Sequence, residues 1–167
     1  LHTVRGEGVL EGADALWLAP DHVLLGMGLR TNAEGAEQLE AVLAESGVRV
    51  SRLALPRTGT QHLLGVVNFA RQDLAVLRAD VASDELRGHL RAAGVDLLEM
   101  PPDEELLQGR AMNFVTLGPG ELVMPAGCPG ARHTFEAAGL RCHEVVVTEY
   151  LKAAGGIGCL TGILRRD

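Results

Sequence analysis

Short apolar runs bounded by Gly, Pro and Asp recur along the chain, separated by stretches whose apolar residues return every three or four positions. The runs read as β-strands and the spaced stretches as helices with one buried face. In NAEGAEQLEAVLAES, starting at Asn32, the buried face is Ala36, Leu39 and Leu43; in SDELRGHLRAA, starting at Ser83, it is Leu86, Leu90 and Ala93. A third helix is expected in GARHTFEAA, from Gly130. Asn32 and Ser83 are suited to cap their helices, since their side-chain oxygens can accept a backbone N–H of the first turn. Gly47, Gly94 and Gly139 follow the three helices, where a residue without Cβ can turn left-handed and stop the coil.

These elements repeat in order: strand, turn, second strand, helix, Gly, third strand. The second strands are HVLLGMG from His22, DLAVLRA from Asp73 and ELVMPAG from Glu121; the third are VRVSRLAL, VDLLEM and LRCHEVVV. The expected fold class is therefore α/β, built from repeated β-β-α-β units at about residues 7–56, 57–101 and 110–167, all within one domain spanning 1–167. A unit of this size cannot bury its apolar face alone and needs neighbours. The chain starts at Leu1 rather than Met and soon enters the apolar segment VLEGADALWLAP, which reads as a fragment or a processed chain.

With 167 residues, 47% hydrophobic and 22% charged, a folded and soluble chain is expected. Only 3% is aromatic, so the core must rest on Leu, Val, Ala and Ile, with Met27, Met100, Met112 and Met124 as filler. A net charge of −7 argues against a nucleic-acid or anionic-membrane partner. No apolar run approaches the ~20 residues of a membrane span. Three cysteines, Cys128, Cys142 and Cys159, are too few and too odd for a disulfide framework; free thiols and a cytoplasmic location are expected.

Three places carry polar residues where chemistry could lie. In Gly8-Val-Leu-Glu-Gly-Ala-Asp14, Glu11 and Asp14 flank two small residues at the expected end of a strand, where another group could approach the backbone; two solvated carboxylates on a turn is the plainer alternative. His62 opens the apolar run LLGVVNF and has the native pKa range of a general acid and base, although such a histidine can equally be structural. Cys159 follows Gly155-Gly-Ile-Gly, a loop with little steric cover whose N–H groups could help hold a thiolate; a buried free cysteine is the alternative. Cys128, His133, Cys142 and His143 match no zinc spacing, and Cys142 and His143 fall on opposite faces of a strand. His2, His22 and His89 are expected at the surface.

In order along the chain, EGAD at Glu11–Asp14, GLRTNAEGAEQL from Gly28, TQHLLG around His62 and GGIGCLTG around Cys159 resemble the guanidino-modifying superfamily of dimethylarginine dimethylaminohydrolases, arginine deiminases and amidinotransferases. NFVTLGPGELVMPAGCP, from Asn113, resembles the penultimate strand pair of that family. The resemblance implies an α/β propeller of five β-β-α-β units, three of them in this chain, the other two expected on the N-terminal side. It implies Cys159 as nucleophile, His62 as acid and base, Glu11 as its carboxylate partner, Arg30 as the clamp on a substrate carboxylate, and Asp14 either against substrate or in support. The implied partner is a small guanidino substrate, with neither metal nor organic cofactor. The implied activity is hydrolysis of an arginine-type guanidine such as dimethylarginine; amidinotransferase and arginine deiminase are alternatives, as is a non-catalytic propeller used for binding or assembly. Ala13, Leu64 and Gly158 depart from the family pattern: a Gly usually stands at the first position, and deiminases place Asp and His at the other two. Open sheet edges would favour association into a homo-oligomer, unless an N-terminal portion is supplied as a separate chain.

Overall fold

The computed structural model describes residues 1–162, a mixed α/β fold with three small sheets. The first sheet holds β1 (Ala15–Ala19), β2 (His22–Met27) and β3 (Arg49–Ala54), with α1 (Ala33–Ala44) between the last two. The second holds β4 (Val67–Arg71), β5 (Leu74–Arg78) and β6 (Asp96–Met100), with α2 (Asp84–Ala92) inserted in the same place. After a four-residue helix, α3 (Glu104–Leu107), the third holds β7 (Val115–Gly118), β8 (Glu121–Pro125) and β9 (Arg141–Val145), around α4 (Pro129–Ala137). A last short helix, α5 (Thr148–Lys152), precedes the Cys159 loop. The two short helices α3 and α5 were not expected from periodicity, which needs more than one turn to be visible.

Each sheet has the same wiring. Its first two strands pair antiparallel across a tight turn, and its second and third pair parallel. A parallel neighbour needs a crossover, which the helix supplies. The register slips once in every first strand, between Trp17 and Ala19, Phe69 and Arg71, and Thr116 and Gly118. In the first two sheets the middle strand is buried along nearly its whole length, which is why β2 and β5 are apolar without alternation; in the third, β8 is buried at Leu122, Met124 and Pro125 and only partly at Glu121 and Val123.

Helix ends obey their local chemistry. Asn32 Oδ1 accepts the Gly35 N–H at 2.9 Å and Ser83 Oγ the Leu86 N–H at 3.1 Å. Gly47, Gly94 and Gly139 take φ of 72°, 75° and 79°. Nothing on α4 itself caps its start. The carboxylate of Glu105, on α3, accepts the Gly130 and Ala131 N–H groups at 3.1 and 2.8 Å.

The chain gathers into two compact units. One comprises residues 1–66 and 81–93, with Leu24, Leu25, Leu53 and Leu63 wholly or almost wholly buried; the other comprises 67–80 and 94 onward. The second has its own core, in which Phe114 meets Phe135 edge to face at 5.6 Å among Leu122, Met124 and Cys128. Met100, Met112 and Met124 are core residues as expected.

Four expectations need correction. His22 is 2% exposed, not a surface residue: its ring lies edge-on to His89 at 5.7 Å and its Nε2 meets Ser51 Oγ at 2.8 Å and Arg49 Nη1 at 3.0 Å. Ala93 is exposed beyond the end of α2 rather than on its buried face, because the coil has already stopped at Ala92. The run LLGVVNF is not one strand; Leu63–Gly65 forms a 3₁₀ turn and the strand begins at Val67. EGAD does not end a strand but precedes one: Gly12–Asp14 is a 3₁₀ turn that leads into β1. Among the described residues, no helix is long and apolar enough to cross a membrane.

Candidate active site

Four of the residues singled out above lie in the first compact unit and are organised by one buried carboxylate. Asp14, at the end of the Gly12–Asp14 turn, has no exposed surface. Its Oδ2 accepts the Thr31 hydroxyl at 2.7 Å and its Oδ1 accepts the Leu63 N–H at 2.9 Å. Three loops that are distant in sequence are therefore tied to one side chain. Thr31 Oγ1 in turn accepts the Glu11 N–H at 3.2 Å, which fixes the backbone of Glu11. The glycine of β2, Gly26, makes the approach possible: a Cβ there would lie 2.8 Å from Leu63 Cβ and 3.1 Å from Asp14 Oδ1. Gly12, where such an approach was expected, has open space instead.

Each residue of Arg30-Thr31-Asn32 takes a different task. Arg30 is about half exposed, Thr31 is buried on Asp14, and Asn32 caps α1 while its amide binds back to the N-terminal segment, donating to Glu7 O at 2.8 Å and accepting from Val9 N at 2.9 Å. The result on the surface of this unit is a row of three charged or chargeable groups. Glu11 Oε1 stands 3.5 Å from His62 Nε2, and Glu11 Oε2 stands 4.0 Å from Arg30 Nε. Both contacts are long and partly exposed, so they contribute little to stability; what they do is align an imidazole beside a carboxylate with a guanidinium on the other side. His62 is itself braced by Thr60, whose hydroxyl donates to His62 O at 2.8 Å. Its Nδ1 is buried and has no hydrogen-bond partner among the described residues. An unmet buried polar atom is costly and uncommon.

Cys159 belongs to the second unit. It is an exposed free thiol in the turn Gly158–Leu160. Among the described residues, the donor to its sulfur is a side chain rather than the loop backbone: Asn113 Nδ2 lies 3.4 Å from Sγ, and the Gly158 N–H is taken by Asn113 Oδ1 at 2.6 Å. Cys128, by contrast, is buried against Glu105 O and Gly109 O, and burial pushes its thiol pKa up. Burial does the same for Cys142. Of the three cysteines, Cys128 is buried, Cys142 is partly buried and Cys159 is exposed.

Thr31, Thr60 and Asn113 were not singled out by their chemistry in the sequence. All three lay inside segments that carried a family likeness, RTNAEGA, TQHLLG and NFVTLGPG, and that likeness was the signal available for them. Among the described residues, no three His, Cys, Asp or Glu side chains are grouped so as to hold a metal ion.

A family model described as arginine deiminase matches residues 2–99. The dimethylarginine dimethylaminohydrolase of Pseudomonas aeruginosa is 29% identical over 159 residues, covering 95% of this chain and 57% of that protein. Its counterpart in Streptomyces coelicolor is 31% identical over 161 residues, covering 95% and 55%. Among solved structures, a Cys→Ser mutant of the Pseudomonas aeruginosa enzyme complexed with citrulline superposes with a TM-score of 0.73 at 28% identity, over 92% of this chain and 55% of that one. The inosamine-phosphate amidinotransferase of Streptomyces griseus shares the fold, with a TM-score of 0.73 at 16% identity over 93% and 46% of the two chains. The chain thus spans about half the length of the curated relatives it matches.

Proposed function

The chain belongs to the arginine deiminase family, within the guanidino-modifying superfamily, and from that membership we propose that it forms part of a hydrolase of arginine-type guanidines, with dimethylarginine or a close relative as substrate. The observation that carries the reading is the row His62–Glu11–Arg30, held by Asp14 and Thr31. An acid-base group, its carboxylate partner and a fork for a substrate carboxylate are the fixed parts such a reaction needs.

In this reading the Cys159 thiolate attacks the guanidinium carbon and forms a C–S bond. His62, protonated beside Glu11, gives its proton to the departing amine as the C–N bond breaks. The neutral imidazole then takes a proton from water; the resulting hydroxide adds to the same carbon, the C–S bond breaks, and the thiolate is restored with a ureido product. Glu11 stabilises the imidazolium and faces the cationic substrate. Arg30 binds the substrate carboxylate by paired hydrogen bonds. Asp14, fully buried with both oxygens engaged, supports the site from beneath and does not touch substrate. The chemistry calls on no metal or organic cofactor. Leu64 and Gly158, standing where deiminases place Asp and His, favour the dimethylarginine side of the family. We further propose that the three β-β-α-β units belong to a five-unit α/β propeller.

The test uses the full-length protein, assayed for citrulline from dimethylarginine. Cys159→Ser is expected to abolish turnover and keep the circular dichroism spectrum, and chloroacetamidine is expected to label Cys159 unless an arginine analogue protects it. Citrulline formed at the wild-type rate by Cys159→Ser would overturn the assignment.

A further inference from the structure

The loop that carries Cys159 is held by an asparagine whose own backbone is held by another. Asn68, on β4, donates from Nδ2 to Met112 O and to Phe114 O, both at 3.0 Å. These are the carbonyls on either side of Asn113. The same stretch is secured from the other direction: Asn113 N–H donates to Arg110 O at 2.7 Å across a turn in which Arg110 takes a left-handed φ of 57°, and the neighbours Ala111, Met112 and Phe114 are buried. The Asn113 side chain then reaches the loop, accepting the Gly158 N–H at 2.6 Å and donating to Cys159 Sγ at 3.4 Å. Its amide can be placed only this way round, because the reverse would set Nδ2 against the Gly158 N–H, donor against donor.

The glycines before the cysteine acquire a physical reason. A Cβ on Gly156 would lie 2.5 Å from Asn113 Oδ1, and one on Gly158 would lie 3.2 Å from it. The loop is glycine-rich because an asparagine amide fills the space that side chains would take.

We propose that Asn113 is a positioning residue for the nucleophile: it holds the Cys159 sulfur by a directed N–H donor that favours the thiolate, and Asn68 fixes the backbone from which it does so. This rests on Cys159 being the reacting group. A donor to a charged sulfur is stronger than one to a neutral thiol, and its loss is expected to slow attack by the sulfur severalfold, because the smaller thiolate population is partly offset by the greater nucleophilicity of a less stabilised thiolate.

The full-length protein is treated with iodoacetamide without substrate, and alkylation of the Cys159 peptide is followed by mass spectrometry in wild type, Asn113→Asp and Asn113→Ala. Aspartate keeps the acceptor for Gly158 and the size of the side chain but has no donor for sulfur. If Asn113 only shapes the loop, Asn113→Asp alkylates like wild type, and that result overturns the proposal. The expected result is that both variants are slowed severalfold, Asp no less than Ala, with unchanged melting curves, and that turnover loses kcat more than KM. Should the Asn113 variants not fold, Gly156→Ala displaces the amide from the opposite side; unchanged alkylation there also overturns the proposal. A wild-type protein that alkylates normally yet does not hydrolyse dimethylarginine would remove the hydrolase reading while leaving the role of Asn113 to be decided by these rates.

Discussion

Removing the carboxylate of Asp14 should damage this protein more than removing any exposed charge of the candidate site. In Asp14→Ala two buried groups lose their acceptor: the Leu63 N–H, on a residue with no exposed surface, and the Thr31 hydroxyl, on one that is 1% exposed. Each stranded buried donor costs about 1–3 kcal/mol. Thr31 can rotate its hydroxyl while still accepting from Glu11, so its share falls at the low end, and a total near 3 kcal/mol is expected. Asp14→Asn separates the two contacts. The amide oxygen can still accept from Leu63, and Nδ2 can donate to Thr31 Oγ1, leaving only the threonine hydrogen without a home; the expected loss is about 1 kcal/mol. Urea unfolding of the three proteins, followed by far-UV circular dichroism and extrapolated linearly to water, measures both numbers. The loss should appear in the midpoint at constant slope. A change below about 0.5 kcal/mol for alanine, the level of an ordinary surface substitution, would refute the reasoning, as would asparagine and alanine behaving alike.

Two further expectations concern stability elsewhere in the chain. Glu105→Ala strips the side-chain acceptor from the first turn of α4 and should lower the unfolding free energy by about 1 kcal/mol, whereas Glu105→Gln, which keeps one carbonyl oxygen, should lose less; equal losses in a denaturation series would contradict the capping role. His22 has its pKa lowered below the ordinary 6.5 chiefly by burial, then by Arg49 and His89, with Asp21 opposing. The unfolded chain therefore takes up the proton first as pH falls, so this residue's contribution is intact above about pH 6.5 and is lost as pH drops through the lower folded value. Stability measured at about pH 5.5 should be below that at about pH 7.5, and His22→Asn should flatten the difference; an unaltered slope in that variant would exclude His22 as its source. The carboxylates held low by arginines, Glu40 beside Arg52 and Asp80 beside Arg78, lose their contribution only in more acid solution, a separate window.

Much of the local structure was legible from single residues. Caps and stops depend on one side chain and its own backbone neighbours, so Asn32, Ser83 and the three left-handed glycines could be placed before any contact was known. The β-β-α-β order was legible for a related reason: a strand covered on both faces must be apolar throughout, and a helix covered on one face must be apolar every third or fourth residue. Errors gathered where one or two residues decide the path. LLGVVNF looks like a strand by composition, yet Leu63–Gly65 coils because Asp14, 49 positions earlier, takes the Leu63 N–H that a sheet would otherwise use. His22 looked like a surface residue because nothing in its neighbourhood along the chain reveals that His89 and Ser51 will cover it.

The sequence alone determined the three units, their helix ends, the free thiols and the short roster Glu11, Asp14, Arg30, His62 and Cys159, because each follows from periodicity, local capping or a family likeness spread along the chain. What those residues rest on became visible in the folded chain. It gave Asp14 to Thr31 and Leu63, set Glu11 between His62 and Arg30, and put the amide of Asn113 against the glycines before Cys159. Such bonds join donors and acceptors tens of residues apart, and a hydrogen bond leaves no periodic mark on the sequence; it exists only once folding has brought its two ends within about 3 Å.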